Sequence, residues 1–122
     1  MFRIAVLVSG GGTDLQSIID AVENKELDCK IEMVISSKEG VYALERAKKH
    51  GIETHVITKK EYKDKQSDKI LSLVCENVDL IVLAGYLSIL DGEILEKFKN
   101  RIINIHPSLI PSFCGPSMYG LK

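Results

Sequence analysis

Apolar residues gather in short runs along this chain, and the runs alternate with segments of helical spacing. Ile4 to Val8 is an apolar, largely β-branched run that stops at Ser9-Gly10-Gly11-Gly12-Thr13. Its apolarity is continuous rather than alternating, the pattern of a central parallel strand covered on both faces. From Asp14 to Val22, the residues Leu15, Ile18, Ile19 and Val22 recur at i, i+3, i+4 and i+7, which predicts a helix. Lys30 to Ser36 reads as a second strand, with Ile31, Met33 and Ile35 alternating against Glu32 and Val34. Gly40 opens a second helix, Val41 to His50, and Gly51 closes it as a C′ residue. Glu53 to Ile57 reads as a short third strand. Lys59 to Val74 is polar at first and helical later, with apolar Ile70, Leu71, Leu73 and Val74 only in its second half. Leu80 to Ala84 is another buried strand and also ends in a glycine, Gly85. Asp91-Gly92-Glu93 starts a short element that runs to about Phe98.

The last apolar run begins at Arg101 and changes character within a few residues. Asn104 and His106 fall on one face of the strand, Ile103 and Ile105 on the other. Pro107 cannot donate to a ladder and holds His106 extended, so the strand is expected to stop there. Strand and helix alternate throughout, which predicts an α/β fold: a Rossmann-like, doubly wound, mainly parallel sheet with helices on both faces. Right-handed crossovers then bring the carboxyl ends of the strands to one edge. The glycine loop after Val8, the segment after Ala84 and the pair Asn104 and His106 are expected to meet there, where open α/β sheets bind ligands.

Composition narrows this picture without redirecting it. The 122 residues fit one domain, with no repeat, low-complexity tract or linker, and 45% hydrophobic against 27% charged residues is the balance of a folded chain. Sixteen basic and 17 acidic residues leave a net charge of −1, so there is no whole-chain argument for nucleic acid or an anionic membrane. No apolar run is long enough to span a bilayer, and Met1-Phe2-Arg3 leads into a strand rather than a signal peptide. Cys29, Cys75 and Cys114 are odd in number and widely spaced. They match neither a disulfide framework nor a zinc pattern, so the expectation is a reducing cytoplasm and no metal.

The candidate chemistry lies in the three converging stretches. The Ser9–Thr13 loop offers glycines, a hydroxyl at each end and a helix immediately after, an arrangement whose free amides and dipole suit phosphate. No Gly-Lys-Ser/Thr follows, and the third glycine of a dinucleotide fingerprint would fall at Leu15. A purely structural reading fits as well: Thr13-Asp14-Leu15-Gln16 matches a capping box, and glycines permit tight turns. Asn104 can donate to a developing oxyanion, and His106 can carry a proton or stabilise negative charge. His50 at a helix end, His55 in a strand and Cys114 without an evident base are weaker candidates, and the Lys59–Lys65 cluster fits a solvated face.

Val8 to Gln16, Leu83-Ala84-Gly85-Tyr86 and Asn104-Ile105-His106-Pro107-Ser108-Leu109-Ile110-Pro111 together resemble the folate-dependent formyltransferases. The last stretch is shared across that family, and the glycine loop resembles its glycinamide ribonucleotide branch. The resemblance covers essentially the whole chain. It implies transfer of a formyl group from 10-formyltetrahydrofolate to the amine of glycinamide ribonucleotide in purine synthesis, without a metal. It assigns ribonucleotide binding to Gly12, Thr13 and Asp14, and a folate pocket to Leu87, Ser88, Ile89 and Leu90. Asn104 and His106 become the catalytic pair, with Asn104 also beside the folate. A basic residue that contacts folate matches most nearly Lys65.

Two departures accompany the match. The family's aspartate, which raises the histidine pKa from a later D-x-G-type loop, has no counterpart before Lys122, and Pro116 stands where a basic residue often follows glycine. The chain is therefore expected to be the N-terminal, ribonucleotide-binding part of such an enzyme, impaired alone and open at one sheet edge through which a second copy could pair. Three other readings stay open: a related formyltransferase, a formyltetrahydrofolate hydrolase, and a non-catalytic phosphate-binding or interaction fragment.

Overall fold

The computed structural model describes residues 2–105. Five parallel strands form one sheet: β1 (Phe2–Val8), β2 (Cys29–Ser36), β3 (Glu53–Val56), β4 (Leu80–Ala84) and β5 (Ile102–Ile105), in the order β3-β2-β1-β4-β5. Helices α1 (Thr13–Glu23) and α2 (Tyr42–Lys49) join the first three strands. A turn α3 (Lys59–Tyr62), a 3-10 turn (Lys63–Lys65) and α4 (Gln66–Val74) carry the chain back to β4, and α5 (Glu93–Lys97) leads to β5. The expected doubly wound α/β fold is what forms.

Two apolar layers cover the two faces. On one, Leu15, Ile18 and Ile19 of α1 and Ala43 and Ala47 of α2 pack on Ile4, Val6, Val8, Val34 and Val82. On the other, Ile70, Leu71 and Val74 of α4 with Ile94 of α5 pack on Ala5, Leu7, Met33, Ile35 and Ile81. Each fully buried aliphatic side chain contributes roughly 1.5–3 kcal/mol. Consecutive burial along β1, from Ile4 to Val8, follows from its central place between two covered faces.

Two expectations shift in detail. The predicted alternation of Ile31, Met33 and Ile35 does not hold, because the register slips between Ile4 and Ala5: Ile4 pairs with Ile31, but Ala5 with Met33. The extra residue in β2, Glu32, puts Ile31 with Val34 on the α1 face and Met33 with Ile35 on the opposite face. The polar-then-helical segment breaks into three pieces. Thr58 Oγ1 accepts from Glu61 N (3.0 Å) to cap the first, Lys63 adopts φ +52°, and buried Gln66 donates to Ile57 O (2.9 Å) to seat the last. Gly51, at φ +71°, closes α2 as predicted: its N–H donates to Lys48 O (3.1 Å) and that of Ile52 to Ala47 O (3.0 Å), a Schellman pair.

The amino end of β4 is pinned to β1. Asp79 Oδ2 accepts from the Arg3 backbone N–H (2.9 Å) and lies 3.5 Å from Arg3 Nε, and the Asp79 N–H returns a bond to Arg3 O (2.7 Å). The Arg3 backbone donor first, then its side chain, hold the Asp79 carboxyl below its ordinary 3.8. A carboxyl depressed on folding stabilises the fold above its unfolded value and loses that contribution as pH falls through the folded one. Asp79→Asn should therefore lower the denaturation midpoint at neutral pH, and the deficit should shrink as pH falls below 4; equal midpoints at neutral pH would refute the assignment.

Candidate active site

The sheet order reverses direction at β1, which has β2 on one side and β4 on the other. That switch point opens a crevice at the carboxyl ends of the strands. The glycine loop after β1 and the turn after β4 flank it. Gly85 there has φ +70°, and a Cβ on it would lie 3.9 Å from Asp14 Oδ2. Ser9 ties the two sides together: its hydroxyl, almost fully buried, accepts from the Leu87 N–H (2.8 Å) and pairs with Ser37 Oγ (2.5 Å). Nothing in the sequence singled out Ser9 for this role beyond its place beside the glycines.

The loop itself is held against α2. Gly12 is the N-cap of α1, at φ +83°, and a Cβ there would sit 2.7 Å from Ala43 Cβ and 2.8 Å from Ala43 Cα. Gly10 O accepts from Ala43 N (3.3 Å), and Gly11 O from Arg46 Nε (2.9 Å). The capping box read from Thr13 to Gln16 does not form. With glycine at the cap there is no side-chain cap bond, and Gln16 turns outward to Asp20 Oδ1 (2.9 Å) and accepts from Arg46 Nη1 (3.1 Å). Among the described residues the leading amides of α1 thus keep no side-chain acceptor, the state in which a helix N-terminus attracts an anion. Gly12, Thr13 and Asp14 are all placed at this end.

Across the crevice, Leu87 and Ile89 are 74% and 78% exposed, while Tyr86 and Leu90 pack down on the α4 and α5 layer. Leaving two large apolar side chains bare on one segment forgoes roughly 1.5–3 kcal/mol each, a feature of surfaces that bind an apolar partner. Leu87 and Ser88 border a depression of about 420 Å³ with Lys38, Lys59 and Lys60, and Ile89 borders one of about 350 Å³ with Lys59, Lys63 and Asp91. Lys65 lines neither; it is exposed on the 3-10 turn, and Lys59 and Lys63 are the lysines beside Ile89. Burial pushes the Tyr86 hydroxyl up to about 12, and Ser88 opposes that shift without completing a hydrogen bond to it.

Asn104 is exposed and pairs in register with Leu83, so it shares the α4 and α5 face with Tyr86 and Leu90, while Ile103 and Ile105 point to the α1 face. That is the alternation read from the sequence. His106, the rest of its motif and Cys114 lie outside the described residues. The weaker histidines have carboxylate partners: His50 Nδ1 lies 2.6 Å from Glu23 Oε2 and His55 Nε2 lies 2.6 Å from Glu53 Oε2. Among the described residues no group of three or more His, Cys, Asp or Glu side chains could hold a metal, and no helix is long and apolar enough to cross a membrane. Another depression, of about 570 Å³, lies at the opposite end of the sheet, beside Cys29, His50 and the last turn of α1. It has neither the uncapped amides nor the switch point of the carboxyl edge.

Comparison with known proteins identifies the family. The chain is 44% identical over 125 residues to phosphoribosylglycinamide formyltransferase of Haemophilus influenzae, covering 98% of this chain and 58% of the relative. It is 41% identical to the human trifunctional purine biosynthetic protein adenosine-3, over 96% of this chain and 12% of that protein. The crystal structure of glycinamide ribonucleotide transformylase 1 from Symbiobacterium toebii superposes with a TM-score of 0.82 at 39% identity, over 94% of this chain and 56% of that one. The chain thus spans a little over half the length of its single-function relatives. A family model described as formyl transferase matches residues 2–121, and the chain belongs to that family.

Proposed function

We propose that this chain forms the ribonucleotide-binding part of a glycinamide ribonucleotide formyltransferase and contributes Asn104 and His106 to its catalytic centre, in purine synthesis in the cytoplasm. In the reaction, the glycinamide amine attacks the formyl carbon of 10-formyltetrahydrofolate, and a tetrahedral intermediate forms. The bond from that carbon to the folate N10 then breaks, and the proton shed by the amine is taken up at N10. The observation that carries the reading is the uncapped start of α1, set at the switch point behind a glycine loop whose carbonyls are engaged elsewhere. Gly12, Thr13 and Asp14 hold the ribonucleotide, with its phosphate at the helix start. Leu87, Ser88, Ile89 and Leu90 line the pocket for the folate's pteridine ring, and a basic residue contacts the folate: Lys65, as the resemblance implies, or Lys63, which borders the depression beside Ile89.

Asn104 donates its amide to the oxyanion of the intermediate, and His106 handles the proton. The folate is a co-substrate, and no resident metal is invoked. Self-association through β5, an edge of the sheet among the described residues, belongs to the same reading. Calorimetric titration of the purified chain with glycinamide ribonucleotide tests it. Saturable binding is expected, and removing the phosphate from the ligand should abolish it. Failure to bind, combined with formate release from the formylfolate, would replace the transferase with a hydrolase.

A further inference from the structure

We infer that Arg46 is a positioning residue that fixes the direction of the Gly11–Gly12 peptide in the anion-binding loop; the inference rests on the ribonucleotide reading above. The carbonyls of Gly10, Gly11 and Gly12 accept in turn from Ala43 N (3.3 Å), Arg46 Nε (2.9 Å) and Gln16 N (2.8 Å). In a planar trans peptide, the carbonyl and the following N–H point in opposite directions. Tying these carbonyls to α1 and α2 therefore turns the N–H groups of Gly11, Gly12 and Thr13 away from those contacts, a concave run of donors for an anion.

The three anchors are not equivalent. Gly10 and Gly12 are held by backbone amides, which side-chain substitution cannot delete. Among the described residues, the Gly11 carbonyl is held by the Arg46 side chain alone. A Cβ on Gly11 would meet nothing within 4 Å, so packing offers no obstacle to rotation of this glycine–glycine peptide. The guanidinium is itself braced: Nη1 donates to Gln16 Oε1 (3.1 Å), and Cζ stacks 4.8 Å from the centre of the Tyr42 ring. That bracing uses the planar fork, which a lysine ammonium cannot reproduce. Arg46 was hidden in the sequence because a basic residue on an amphipathic helix reads as a solvated position.

The test separates geometry from charge. Glycinamide ribonucleotide is titrated into the full 122-residue chain, into Arg46→Lys, which keeps the charge, and into Lys48→Gln, which removes a charge from the same helix. Arg46→Lys should weaken binding about tenfold, the loss expected for a hydrogen bond from a charged group. In the unliganded protein it should also shift the Gly12 amide cross-peak in ¹H–¹⁵N spectra, which report at the same time that the variant is folded. Lys48→Gln should stay within about twofold, as an exposed and screened charge. Where Arg46→Lys folds poorly, Arg46→Gln carries the same expectation. Parent-like affinity and an unmoved Gly12 amide in a folded Arg46 variant would overturn the inference and leave the ribonucleotide reading intact. A parent chain that does not bind the ribonucleotide would remove both.

Discussion

Gly12→Ala should cost this fold about 3 kcal/mol, a sum of two penalties at one atom. An L-residue in the left-handed region costs roughly 1–2 kcal/mol, and forcing a methyl into a packed contact costs about 1–3 more. Gly12 sits at φ +83°, and its added Cβ would press on the Ala43 backbone at 2.8 Å, where no flexible side-chain end can yield. Domains of this size are stable by only about 5–15 kcal/mol, so the variant should unfold at clearly lower denaturant. Gly11 is the internal control: it has no positive φ, and a Cβ there meets open space. Gly11→Ala should leave the midpoint nearly unchanged or raise it, since alanine restricts the unfolded chain. Chemical denaturation of the two variants side by side decides the matter; equal midpoints would mean that α2 does not clamp the loop at Gly12.

Asn104→Ala should lower formyl transfer by about 100- to 1,000-fold, the usual loss of one oxyanion donor. The measurement needs a chain extended through a formyltransferase's aspartate-bearing loop, so that the remaining catalytic groups are present. Asn104 is exposed near the end of β5, so truncating its side chain should move stability by no more than about 0.5 kcal/mol. In the proposed function the ribonucleotide lies at the loop after β1, two strands away, so its affinity should be unchanged. A fall in kcat with steady ribonucleotide affinity and steady stability is the signature of a group used only in the transition state. A variant that turns over normally would remove Asn104 from the mechanism.

Much of the fold was legible because burial on both faces leaves a direct trace in the sequence. Val8 and Ala84 end their strands where the apolar runs end, and Gly51 closes α2 as its place after the helix implied. The β2 alternation was misread because a bulge is a property of a pair of strands, and one strand alone does not encode it. The polar stretch from Lys59 carried no periodicity to show that it breaks into three pieces. The capping box was misassigned because Thr13 has the right chemistry one residue too late: tight packing on Ala43 makes Gly12 the cap.

By itself, the sequence determined the α/β class, the strand ends, the glycine loop and the face on which Asn104 lies. All of these follow from local period and local backbone preference. Only the tertiary structure decided that β1 is the switch point, that Ser9 bonds across it to Leu87, and that Arg46 holds Gly11 from 35 residues away. Those contacts depend on which strands become neighbours and on how closely helix and loop approach. Such distances are settled when two covered faces pack together, and no window of sequence contains them.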